Sequence, residues 1–165
     1  MQEHDQDVVV IGELNVDLIL NQLEQFPVVG KEILADNMTF TLGSSSAIFA
    51  SNLKVLGSGV SFVGKLGEDM FGRFILSKLK DKQLHTDDII FTGNIQTGIT
   101  VALNYGEDRA MVTYPGAMND LKLSDISDGA LKKGRHLHVS SIFLQEGLKK
   151  DIVALFRKAR ELGLT

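Results

Sequence analysis

With 165 residues, 44% hydrophobic and 23% charged, the chain is long enough to bury one real core and too apolar to remain disordered. A formal net charge of -4 and 17 scattered Lys and Arg leave no basic stripe of the kind that nucleic acid requires, so no nucleic-acid partner is expected. No apolar run spans a membrane, and the opening MQEHDQD lacks the basic start and apolar middle of a secretion signal. The absence of Cys removes disulfides, thiolate zinc sites and cysteine nucleophiles together, and fits the reducing cytoplasm expected for this protein.

The run VVVIG, Val8 to Gly12, is continuously apolar, β-branched and closed by glycine, which predicts the central strand of a parallel sheet, buried on both faces. Residues 16–42 mix short alternating pieces with turns at Pro27 and Gly30; Leu34, Met38, Phe40 and Leu42 share a parity, which predicts irregular or antiparallel structure. Gly43 and the serines Ser44, Ser45 and Ser46 supply N-cap chemistry for a helix with Ala47, Ala50 and Leu53 at helical spacing, stopped by Gly57. A strand over 60–64, a loop GKLGED and a helix carrying Phe71, Phe74, Ile75, Leu79 and Leu84 follow, which establishes a βαβα order.

Residues Ile89 to Phe91 make a further strand. Ile99, Val101, Leu103 and Tyr105 alternate with Thr100, Ala102 and Asn104, the clearest period of two in the chain. With the turn GED and the segment RAMVTY, they predict a β-hairpin with one wet face. A short helix over 124–134, a strand over 136–141 and an amphipathic helix over 148–163 then restore the α/β rhythm.

Gly59, Gly64 and Lys65 fall in the register of a P-loop, but Leu66 stands where a hydroxyl must meet magnesium, and the apolar run VSFV fills the place of the flexible loop. The three glycines Gly57, Gly59 and Gly64 are better read as helix stop, turn and strand end. Ligands of open α/β sheets gather beyond the carboxyl ends of the strands, which directs attention to residues 13–17, 65–72 and 140–142. Asn15 and Asp17 lie two apart, so on an extended segment both point the same way and can grip vicinal hydroxyls. The serine-rich segment after Gly43 offers backbone N–H groups and a helix dipole to a polar ligand, or plain N-capping. Asp69, one residue before an apolar helix start, favours the helix dipole and reads as structural. His136 and His138 share a strand face without further ligands spaced to complete a metal site, and Ser140 and Ser141 lack the elbow of a hydrolase nucleophile.

In chain order, G-E-L-N-V-D, L-G-S-S-S-A-I-F-A-S-N-L-K-V-L-G, V-G-K-L-G-E-D-M-F-G, T-G-I-T-V-A-L-N-Y-G and P-G-A-M-N-D-L resemble the N-terminal half of a ribokinase-like (PfkB) sugar kinase. The resemblance covers essentially the whole chain. It implies an α/β fold, a mostly parallel sheet flanked by helices, carrying a small β-sheet lid from residues 17–42 and 97–115. It also implies that Asn15 and Asp17 grip the sugar, that Gly43 and Ser44 stand where the family usually has two glycines, that Ser45 faces the sugar, and that Thr100, Ala102 and Thr113 occupy lid positions. Ile48 departs from the family's common Asn in G-G-x-x-x-N, and Met118 from the Asn of G-A-N.

The family's general base, the Asp of a G-A-G-D motif, does not occur before Thr165. The resemblance therefore implies that ATP and Mg2+ serve the full-length enzyme, that none is bound by this chain, and that the chain is an N-terminal portion, inactive alone, with no catalytic residue and no metal site of its own. Phosphoryl transfer depends on positioning and charge stabilisation, which such a portion lacks. The expected partner is a small-molecule sugar, with a homodimer through the lid or the exposed sheet edge; the alternative is a non-catalytic sugar- or protein-binding module. A Rossmann oxidoreductase would need G-x-G-x-x-G after the first strand, where this chain has G-E-L-N-V-D.

Overall fold

The computed structural model describes residues 5–165. In chain order its regular elements are β1 (Val8–Ile11), β2 (Asn15–Asn21), β3 (Asn37–Leu42), α1 (Ser45–Val55), β4 (Val60–Gly67), α2 (Met70–Asp81), β5 (Ile89–Thr92), β6 (Gly98–Tyr105), β7 (Asp108–Tyr114), α3 (Asp128–Leu131), β8 (His136–Val139), α4 (Glu146–Lys149) and α5 (Ile152–Glu161). They form two four-stranded sheets. The first is parallel, in the order β5-β4-β1-β8, and the second is mixed, in the order β3-β2-β6-β7.

As the apolar run predicts, β1 is an inner strand with neighbours on both sides. Val9 and Ile11 pack with Leu137, Leu131, Leu155 and Ala159, whereas Val10 turns to the opposite face and meets Ala47, Ala50, Phe62, Ile75 and Leu79. Both faces are covered, so the strand has no polar alternation to show. In the second sheet β2 runs antiparallel to β3 and parallel to β6, while β6 and β7 form the expected hairpin. Phe40, on the inner side of β3, reaches Phe71 and Phe74 of α2 at ring-centroid distances of 5.7 and 4.7 Å, and this contact seats the second sheet on the first layer.

Several boundaries differ from the sequence expectation. β4 continues past Gly64 to Gly67 because a second partner takes it over: β1 pairs with Val60 to Val63, and β5 with Gly64 to Gly67. Lys65 therefore lies inside a strand, its Nζ bonded to Asp120 and Asp125 at 2.9 Å each, which accounts for the failed P-loop register. Burial alone would lower the pKa of that ammonium, but the hydrogen bonds to the two carboxylates outweigh it and hold the pKa above its ordinary value.

The segment predicted as one helix over 148–163 divides into α4 and α5. The Glu146 N–H donates to Asn119 Oδ1 at 2.9 Å, and a Cβ at Gly147 would come within 2.5 Å of the Leu121 carbonyl oxygen, so α4 is tied to residues 116–121. Meanwhile α5 places Leu155 and Ala159 against the parallel sheet. The helix expected over 124–134 shrinks to α3, capped by Ser127, whose Oγ accepts from the Ala130 N–H at 3.0 Å. None of the helices among the described residues is long and apolar enough to cross a membrane.

Asp69 caps α2, as its position predicts, and does more. Its Oδ1 accepts from the Gly72 N–H at 2.8 Å and its Oδ2 from the Thr97 N–H at 2.7 Å, while Thr97 Oγ1 accepts from the Gly67 N–H at 2.9 Å. One carboxylate thus joins the end of β4, the start of α2 and the entry to β6. Burial pushes its pKa up, but the backbone donors win and lower it below 3.8. A depressed carboxylate pKa stabilises the fold above the unfolded value and loses that contribution as acid protonates it. Asp69→Ala is expected to cost about 1–3 kcal/mol in urea denaturation near neutral pH, from the lost cap and the stranded Thr97 N–H. The deficit relative to wild type should narrow as the pH falls below 3.8.

Candidate functional site

Where β1 ends, Gly12, Glu13 and Leu14 carry the chain into β2, and all three are buried. Asn15 and Asp17 then lie on one face of β2, as their spacing of two predicts. The register sets Asp17 between Thr41 of β3 and Thr100 of β6, and Thr100 opposite Thr113 of β7. Asn15 Nδ2 donates to Asp17 Oδ1 at 3.0 Å and to Thr100 Oγ1 at 3.2 Å, and the hydroxyls of Thr100 and Thr113 are 3.0 Å apart. Ala102 follows on the same face, opposite Ile19, and is buried. These contacts bring Asn15, Asp17, Thr100 and Thr113 into one hydrogen-bonded row.

Gly43 closes against that row. A Cβ there would come within 2.3 Å of Asp17 Oδ1 and 2.6 Å of Asn15 Nδ2, so only glycine admits both polar side chains. Ser44 next to it adopts φ 72, a left-handed conformation that costs a side-chain-bearing residue roughly 1–2 kcal/mol. Its hydroxyl compensates in part: Oγ accepts from the Ala47 N–H at 3.0 Å, capping α1, and donates to the Glu13 carbonyl oxygen. Ser45, the first residue of α1, is exposed and donates to Glu13 Oε1 at 2.8 Å.

Burial raises the pKa of Asp17 above its ordinary 3.8, and the Asn15 hydrogen bond offsets this only in part. Beside Asp17 opens a cleft of about 830 Å³ whose walls include Thr41, Phe40, Ile48 and Phe74. Ile48 is 47% exposed there, an apolar side chain in the first turn of α1. Met118 is buried, and a Cβ at Gly98 would lie 3.4 Å from its Cε, so it packs beneath the site.

The two histidines have other partners. His138 stacks on Phe49, with ring centroids 3.8 Å apart and planes at 15°, and burial followed by the neighbouring His136 lowers its pKa, with Glu13 pulling the other way. His136 Nδ1 lies 2.9 Å from Thr165 Oγ1. Reading by sequence gives Thr41 no place in the site, and it places Glu13 beyond the first strand without assigning it a role. Thr41 carries a signal, because it shares a parity with Thr39 on a strand whose other parity is apolar. Glu13 carries none beyond its place after the first strand, since its burial depends on serines far away in the chain.

The pattern of the pfkB family carbohydrate kinases matches residues 5–165. The chain belongs to that family. Among curated relatives, the 5-dehydro-2-deoxygluconokinases of Bacillus thuringiensis (strain Al Hakam) and Bacillus cereus (strain 03BB102) are each 29% identical over 155 residues, covering 90% of this chain and 45% of theirs. The chain thus spans about half the length of the curated relatives it matches. Among solved structures, Halothermothrix orenii fructokinase superposes with a TM-score of 0.78 at 29% identity, over 96% of this chain and 55% of that one. The fructokinase of Xylella fastidiosa with bound ATP shares the fold with a TM-score of 0.80 at 23% identity, over 97% and 50% of the two chains.

Gly43→Ala tests the row directly. The added methyl is expected to displace Asp17 and break its bond to Asn15, moving the Asn15 side-chain amide signals in a 1H–15N spectrum while leaving the Thr97 amide in place. Unchanged Asn15 signals would show that the glycine is not what lets the pair form.

Proposed function

We propose that this chain provides the sugar-binding part of an ATP-dependent carbohydrate kinase of the cytoplasm, with Asn15 and Asp17 holding the sugar and the second sheet, residues 17–42 and 97–115, acting as its lid. The carrying observation is the state of Asp17. It is partly desolvated, its Oδ1 takes the Asn15 amide, and among the described residues no hydrogen-bond donor engages its Oδ2. A carboxylate so placed accepts a ligand hydroxyl through a charge-assisted bond, while Asn15 fixes its orientation. Gly43 lets a small polyol approach the backbone, Ser44 shapes that turn, Ser45 meets the ligand from the start of α1, and Thr100, Ala102 and Thr113 cover it from the second sheet.

The family and the sugar kinases among its relatives support a sugar as the ligand. ATP with Mg2+ supplies the phosphoryl group when bound to the whole enzyme. Within the described residues the near-match to a phosphate loop is the strand β4, with Lys65 held by two aspartates, which supports a role for this chain in binding and orienting the sugar. The deprotonating base and the nucleotide site are assigned to residues outside this chain. The 165-residue chain is accordingly expected to show no ATP turnover with any sugar, and measurable turnover would refute that assignment.

Calorimetric titration of the chain with D-fructose and related hexoses tests the binding reading. Asp17→Asn is expected to weaken sugar binding roughly 10- to 100-fold, the range of a hydrogen bond to a charged group; unchanged affinity would sink the proposal. Because burial raises the Asp17 pKa, the ionised acceptor is lost at a pH above 3.8 as acid is added, so wild-type affinity should decline with a midpoint above that value.

The outer strands β3 and β7 expose Met38, Val112 and Tyr114 on one face of the second sheet, which a second copy of the chain would cover. Light scattering is expected to show a dimer that Val112→Lys dissociates.

A further inference from the structure

We infer that Glu13 polarises a chain of serine hydroxyls so that the hydroxyls of Ser45 and Ser141 form a second arm of the sugar site that accepts hydrogen bonds and has no hydroxyl proton left to donate, selecting a substrate hydroxyl over a carboxylate, phosphate or carbonyl. The inference rests on the sugar-binding reading above and adds the chemistry of the group facing this arm.

Glu13 is only 2% exposed, yet among the described residues no Lys or Arg pairs with it. Its carboxylate is met by neutral donors instead. Oε1 accepts from Ser45 Oγ at 2.8 Å and from the Ser46 N–H at 3.2 Å, and Oε2 accepts from the Ser46 hydroxyl. Each serine has one hydroxyl proton, and Ser45 and Ser46 have both committed theirs inward.

That commitment sets the direction of the next bonds. Ser45 Oγ lies 2.7 Å from Ser141 Oγ, and Ser46 Oγ lies 2.6 Å from Ser140 Oγ. With the α1 serines already donating to Glu13, Ser140 and Ser141 must be the donors in these pairs. The carbonyl oxygen of Ser140 accepts from Nε2 of the fully buried Gln145 at 2.8 Å, which holds the segment after β8 in place. At the exposed end of the chain, Ser45 and Ser141 retain only lone pairs. A ligand hydroxyl can donate to them, whereas an oxyanion or carbonyl finds no hydroxyl proton and faces the Glu13 charge one residue behind.

A second feature acts in the same sense. The N-terminus of a helix ordinarily attracts anions through its unpaired N–H groups. At α1 the Glu13 carboxylate takes the Ser46 N–H and the Ser44 hydroxyl takes the Ala47 N–H, so that attraction is largely used within the protein. The opposite arm, Asp17, is also an acceptor. A ligand spanning both arms must present hydroxyls at each, and a carboxylate or phosphate on it would meet the negative charge of Asp17 and Glu13, which favours a neutral polyol.

Calorimetry with D-fructose and D-gluconate, on the 165-residue chain and three variants, tests this. Wild type should bind fructose about tenfold or more tightly than gluconate. Ser141→Ala, which removes an outer acceptor and leaves Glu13 untouched, should weaken fructose roughly three- to tenfold. Glu13→Gln gives the buried side chain a donor, frees a serine proton to point outward, and should narrow the gap between the two ligands. If circular dichroism shows that Glu13→Gln is unfolded, Ser141→Ala and the wild-type ligand pair decide the matter. Gluconate bound as tightly as fructose, or wild-type fructose affinity in Ser141→Ala, would overturn the proposal. Should Asp17→Asn alone lose fructose, the second arm is refuted and the sugar-binding reading stands; absence of fructose binding by wild type refutes both.

Discussion

Three buried residues, Gly12, Glu13 and Leu14, are all that separate the central strand of the parallel sheet from the first strand of the second sheet. So short a connection forces the second sheet to rise directly from the carboxyl end of β1. It also forces whatever side chain stands in the middle to be enclosed. That side chain is a carboxylate, and an enclosed carboxylate without a cation must collect neutral donors or become very costly. The serines at the start of α1 meet that requirement, and a Cβ at Gly12 would collide with the Ser46 side chain that makes it possible. The site is therefore built around a polar connection as much as around an apolar core.

The same economy appears in the backbone. Ser44 takes a left-handed conformation that glycine would adopt without strain, and recovers part of the cost by capping α1 and bonding the Glu13 carbonyl oxygen. Gly43 beside it has φ outside the left-handed region and is required for another reason, the space claimed by Asn15 and Asp17. Two adjacent positions that the family usually fills with glycine thus answer to different physics: one to close approach, the other to conformation. Only the second can be traded for a residue with a useful hydroxyl.

Charged groups elsewhere fasten the scaffold to the site. Lys65 draws residues 120 and 125 onto the end of β4, and Asp69 joins that same end to α2 and to the entry of β6. Lys65 lies in the stretch that looks, by spacing alone, like a nucleotide loop, and Asp69 follows three residues beyond its end. Their partners are all within the protein, and the result is a rigid platform from which β6 carries Thr100 to Asp17.

The α/β order, the central apolar strand, the wet-faced hairpin and the pairing of Asn15 with Asp17 were legible in the residues, because each depends on a period of two or 3.6 within a short window. Helix ends with a local cap, such as Asp69, were legible for the same reason. What only the tertiary structure decided depends on partners distant in the chain: the extension of β4 past Gly64 by β5, the division of the last helix under the hold of Asn119, the parallel pairing of β2 with β6, and the burial of Glu13 among Ser45, Ser46 and, through them, Ser140 and Ser141. Periodicity reports which face a residue takes along its own strand or helix, but hydrogen bonds across a hundred residues are chosen by which elements the fold sets side by side.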